Sequence, residues 1–116
     1  MLKKAIIMKP RTFHTRVIAY KKGDIYLGVA LDFDLLVQGD SLNEALVELK
    51  NGITSYLMSC MKDNEADEKI YRTAPKKYLR LHDLFLDLQK NQEQSKQYEE
   101  NYLGNIGFRK EEFSNV

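Results

Sequence analysis

Leu31-Asp-Phe-Asp-Leu-Leu-Val-Gln-Gly-Asp-Ser-Leu-Asn-Glu-Ala-Leu-Val-Glu-Leu-Lys-Asn-Gly-Ile-Thr-Ser-Tyr-Leu57 decides the fold. It reads as a strand, a tight turn and a capped amphipathic helix. Leu35 to Gln38 reads as a short strand. Gly39-Asp40 supplies the turn, because glycine accepts a positive φ without steric cost. Ser41 is a good N-cap, and Glu44 three residues on completes a Ser-x-x-Glu capping box. Leu42, Ala45, Leu46, Leu49, Ile53, Tyr56, Leu57 and Cys60 then recur at helical spacing as one apolar stripe. The spacing predicts a helix from Ser41 to about Met61. Gly52 is its flaw, and a close contact with the sheet would account for it.

Upstream the period changes to two. Phe13, Thr15, Val17 and Ala19 share one face of a strand over 12–20; His14, Arg16, Ile18 and Tyr20 share the other. Lys21-Lys22-Gly23-Asp24 carries a hairpin signal. In the strand that follows, Ile25, Leu27, Val29 and Leu31 are expected to face the helix. Tyr26, Gly28, Ala30 and Asp32 are then expected to face outward as a semi-apolar partner or dimer surface. Ala5 to Met8 reads as a short added strand or a packing arm, interrupted by Pro10.

Downstream, polar residues 62–68 end the first core. Pro75 is placed to open a second helix, with Tyr78, Leu81, Leu84, Phe85 and Leu88 as its stripe. This helix is expected on the core or on a second copy of the chain. Tyr98, Tyr102 and Leu103 favour its continuation, ended by Gly104. The resulting expectation is an α+β fold: a small antiparallel sheet of about three strands, with room for a fourth, one long helix on one face, and a C-terminal helical segment. The expected division is a core over 1–66 and a helical extension with a polar tail over 67–116.

The string Val37-Gln-Gly-Asp-Ser-Leu-Asn-Glu-Ala-Leu46, followed by Leu-Lys-x-x-Ile-x-x-Tyr-Leu, resembles the core motif of the HicB-like antitoxin family. The resemblance runs from about Phe13 to Leu57. It implies a non-enzymatic type II antitoxin-like module on a degenerate RNase H-like core, neutralising a small basic HicA-like ribonuclease toxin. Relatives often add a helix-turn-helix or ribbon-helix-helix segment and bind operator DNA. Residues 70–116 offer no such pair of short helices, and no basic face beyond Lys76, Lys77 and Arg80. At Asp32 to Leu36 this chain also lacks the Pro- or Gly-containing turn of many relatives.

The chain has 116 residues and a formal net charge of +1, so composition does not mark a dedicated nucleic-acid binder. Its charges are blocked. Before Asp24 there are seven cations and no acid: Lys3, Lys4, Lys9, Arg11, Arg16, Lys21 and Lys22. From Asp24 to Leu49 there are six acids and no Lys or Arg. Asp32, Asp34, Asp40, Glu44 and Glu48 are therefore the candidate contacts to a basic partner, unless adjacent strands interleave the two blocks.

Catalytic signals are thin. His14 and His82 lie in no motif, lone Cys60 sits on the apolar stripe, and there is neither a zinc pattern nor a phosphate loop. The alternative reading is a metal-dependent nuclease, with the same carboxylates converging on Mg²⁺. A third is a stand-alone oligomeric domain. One cysteine allows no internal disulfide, and no apolar run reaches membrane length, so the expectation is a cytoplasmic homo-oligomer without cofactor or metal.

Overall fold

The computed structural model describes residues 12–90 and 101–109. The elements are β1 (Thr12–Lys22), β2 (Ile25–Ala30), β3 (Leu35–Gly39), α1 (Leu42–Lys62), a single turn α2 (Asp67–Ile70), α3 (Lys76–Lys90) and β4 (Asn101–Arg109). The expected α+β architecture is present. The four strands form one antiparallel sheet in the order β3-β2-β1-β4, so β3 and β4 are its edges.

The β1–β2 hairpin is closed by Gly23 and Asp24, with Lys22 paired to Ile25. Gly23 alone of the two takes a positive φ, the pattern of a type II′ turn that matches strand twist. Helix α1 begins where expected: the Ser41 hydroxyl accepts the Glu44 N–H at 3.1 Å. It ends in a Schellman arrangement. Asn64 takes φ 60°, its N–H reaches Met61 O, and the Glu65 N–H reaches Cys60 O.

The sheet is covered on both faces, and this corrects the expected parity of β2. Register pairs Val17 with Ala30 and Ala19 with Gly28, while Ile18 pairs with Val29. Ala30, Val17 and Phe13 pack with Leu49, Ile53 and Leu57 of α1. Val29, Leu31 and Ile18 pack with Tyr78, Phe85 and Leu88 of α3. The long helix therefore lies on the small side chains of β2, and the large ones meet the second helix of the same chain. The reason is steric. A Cβ on Gly28 would lie 3.1 Å from Ala45 O and 3.4 Å from Leu49 Cβ. Gly28 and Ala30 are not an open partner surface; both are buried.

Two further expectations change. Gly39 does not take a positive φ; among the glycines only Gly23 does. Its role is close approach, since a Cβ there would lie 2.7 Å from Ala45 N. The expected helical continuation to Leu103 is instead strand β4, pairing with β1 from Tyr20–Asn101 to Thr12–Arg109. Tyr102, Gly104, Ile106 and Phe108 alternate onto the α1 side, where Phe108 is buried against Phe13. Tyr98, and the Ala5–Met8 segment, lie outside the described residues.

Gly39→Ala is expected to destabilise the chain by about 1–3 kcal/mol through overpacking against α1. Gly52→Ala, whose added Cβ would meet only Val37 at an ordinary 3.7 Å, is expected to stabilise it by about 0.5–1 kcal/mol. Urea unfolding of both variants checks the contrast.

Candidate binding surface

Charge blocking in the sequence singles out five carboxylates, and the fold separates them. Asp32 follows β2 on the α3 side and is committed to Arg16. The Arg16 Nη2 donates to Asp32 Oδ1 at 2.8 Å, and Nε donates to Oδ2 at 3.2 Å. The Arg16 backbone N–H adds a third bond to Oδ2 at 2.7 Å. Sequence blocking hid this pair, because the strand pairing interleaves one cation of β1 with one acid after β2.

Asp32 is also a backbone junction. Its N–H donates to Thr15 Oγ1 at 3.1 Å, and the buried Thr15 hydroxyl donates on to Arg16 O at 3.0 Å. Arg72 N–H donates to Asp32 O and Ala74 N–H to Leu31 O, which laces the strap before α3 along residues 31–33. Burial opposes ionisation of Asp32, but the Arg16 side-chain and backbone bonds and its charge prevail, holding the carboxyl below its usual range. The same hydrogen bond raises the Arg16 pKa.

The other four remain on the surface. Asp34 is exposed in the turn before β3, at φ 53°. Asp40 is exposed just after β3. Glu44 and Glu48 are exposed one helical turn apart on the first half of α1. None of the four forms an ion pair with another described residue. Asp34 and Asp40 lie beyond the two ends of β3, whose first and last residues are roughly 13 Å apart at about 3.3 Å per residue. The carboxylates are not brought together as metal ligands; among the described residues no group of three or more His, Cys, Asp or Glu could hold an ion. Of the turn and cap residues, Gly39 is buried against α1, and Ser41 caps the helix through the Glu44 backbone N–H.

Between the brackets lies an uncharged strand, Leu35 to Gly39. As an edge it has a row of backbone groups that no described strand pairs. Leu35 and Val37 turn toward α1, while Leu36 and Gln38 face the other way. Leu36 is 53% exposed, the most open of the large hydrophobic side chains in the described residues. Sequence reading placed this strand but missed that it is an edge, since strand order cannot be read from local alternation.

The remaining reactive groups do not assemble. His14 is exposed on β1. His82 Nδ1 on α3 is buried with no hydrogen-bond partner among the described residues, 3.5 Å from Asp83 Oδ1. Cys60 lies on the buried face of α1 near its C-terminus, and burial, then the hydrogen bond to Glu65, pushes its thiol up, away from a nucleophilic thiolate. Tyr56 donates to Ile70 O at 2.6 Å, and burial first, then Cys60, moves its pKa to about 12. Among the described residues no helix is long and apolar enough to cross a membrane.

Compared with known proteins, the chain matches no family model, no curated protein and no solved structure.

Because the folded Asp32 carboxyl lies below its unfolded value of about 3.9, its stabilisation is complete above that range. It is lost as pH falls through the lower folded value. Asp32→Asn is therefore expected to lower stability at pH 7 by about 1–2 kcal/mol, with a shrinking difference from the parent below about pH 4. Thermal unfolding of both proteins between pH 7 and pH 2.5 measures it.

Proposed function

We propose that the chain is a non-enzymatic, HicB-like binding module of the cytoplasm. It would act as a type II antitoxin-like partner of a small basic HicA-like ribonuclease. The observation that carries this reading is the run of carboxylates, Asp34, Asp40, Glu44 and Glu48, that pair with no described cation, beside an uncharged edge strand. Cationic groups that hold RNA phosphates on a ribonuclease are complementary to such a surface. Covering them would neutralise the enzyme by occlusion, with no chemistry required of this chain. Asp32 has a minor part, because Arg16 already compensates its charge.

The α+β frame and the Ser41 cap agree with the resemblance of Val37–Leu46 to the family's core motif. The lack of convergence among the carboxylates weighs against hydrolysis by a metal site.

Affinity purification of the native protein from its own cells is expected to recover a small basic protein in fixed ratio. Recovery of this chain alone would contradict the reading. With that partner in hand, Asp40→Lys with Glu44→Lys is expected to weaken binding at least tenfold at low salt, and Asp32→Asn far less. Equal affinities measured by calorimetry would remove the electrostatic basis.

A further inference from the structure

We propose that the edge of β3 that no described strand pairs is the seat for the N-terminal arm of a second copy of this chain, making an arm-exchanged dimer. This goes beyond the binding-module reading and does not depend on it.

The first argument is charge spacing. Asp34 and Asp40 bracket β3 six positions apart. Lys3 and Lys9 bracket the run Lys4-Ala5-Ile6-Ile7-Met8, also six positions apart. Antiparallel alignment that sets Lys9 opposite Asp34 sets Lys3 opposite Asp40. The same register sets Met8 opposite Leu35, Ile7 opposite Leu36, Ile6 opposite Val37 and Ala5 opposite Gln38. An apolar segment thus meets an apolar edge, with opposite charges at both ends. Ile7 falls beside Leu36, the side chain that β3 leaves most open. Pro10 comes one position past the bracketed register, where a missing N–H costs the ladder nothing.

The second argument excludes the simplest rival, β3 against β3 of another copy. The two-fold register that pairs all five strand residues centres on Val37 and brings Asp34 near Asp40 just beyond each end of the ladder. Like charges brought close at both ends are destabilising, so this register is disfavoured and a basic strand is preferred.

The third argument decides whose arm it is. Val17 is level with Ala30, and Ala30 with Leu35. A strand outside β3 is three strand spacings from β1, roughly 14 Å, and Thr12 lies five residues, roughly 17 Å, down β1 from that level. Met8 opposite Leu35 would therefore be roughly 22 Å from Thr12, whereas four residues of extended chain span at most about 14 Å. The arm cannot reach its own edge in this register. It reaches that of a second copy, and two-fold exchange seats both arms.

The arm and a basic protein partner draw on the same two carboxylates and so compete. The dimer is nevertheless testable in the full chain alone, so its failure and the failure of the antitoxin reading are separate results.

The test is sedimentation of the full chain and two charge-reversed variants at low salt, followed by their mixture. The parent is expected to be a dimer. Lys3→Glu with Lys9→Glu, and separately Asp34→Lys with Asp40→Lys, are each expected to shift the dimer constant at least tenfold toward monomer. An equimolar mixture is expected to restore the dimer, because each copy then offers the arm that the other's edge accepts; pairing within one chain would not be rescued by mixing. Lys3→Glu against Asp40→Lys repeats the swap without altering the positive-φ position at Asp34. A monomeric parent, variants with unchanged mass, or a mixture that stays monomeric would each overturn the proposal.

Discussion

The close approach of α1 to the sheet at Gly28 and Gly39 is the constraint on which the rest of the structure depends. A side-chain carbon would lie 3.1 Å from Ala45 O at Gly28 and 2.7 Å from Ala45 N at Gly39. Only a β2 face of small residues lets the helix down that far, so Gly28 and Ala30 lie beneath it, and Val29 and Leu31 are turned to the opposite face. That opposite face is then too apolar for water and requires a second cover, which α3 provides through Tyr78, Phe85 and Leu88. A two-faced sheet follows from glycine placement in one strand.

The same approach sets the acidic surface. With Gly39 pressed against Ala45, the chain turns sharply through Asp40 into the Ser41 cap, and Glu44 and Glu48 come out on the exposed side of α1's first turns. Asp34 is displaced to the far end of β3. The acidic residues thus line an edge instead of converging, and they suit a long contact with another chain better than a point contact with an ion. The Arg16–Asp32 pair, at the hub of backbone bonds from Thr15, Arg72 and Ala74, acts in the frame and not in the surface.

Much of this was legible in the sequence. The Ser41 cap and the 3.6-residue stripe located α1 within a residue or two, and Gly23-Asp24 located the hairpin. Pro75 stands immediately before α3. Other features were hidden for definite physical reasons. Alternation in β2 identifies two faces but cannot say which one a helix prefers when both are apolar. The segment Tyr102-x-Gly104-x-Ile106-x-Phe108 alternates with period two, but tyrosines at helical spacing and a glycine stop pointed the other way. Its pairing with β1 is long-range, set by tertiary contact and not by local preference. Strand order, and with it the exposure of β3, has no local signature at all. Once the edge is known, the matching spacing of Lys3–Lys9 and Asp34–Asp40 becomes visible in a sequence that had shown them only as blocks of like charge.

Hydrogen exchange at the β3 backbone tests the central claim most directly, that this acid-bracketed edge is where the chain meets another chain. The outward-facing amides of residues 35–39 should exchange quickly in dilute protein at high salt and slow markedly in concentrated protein at low salt. Those amides exchanging at the unprotected rate under both conditions, with new protection gathering on α3 or β4 instead, would contradict it.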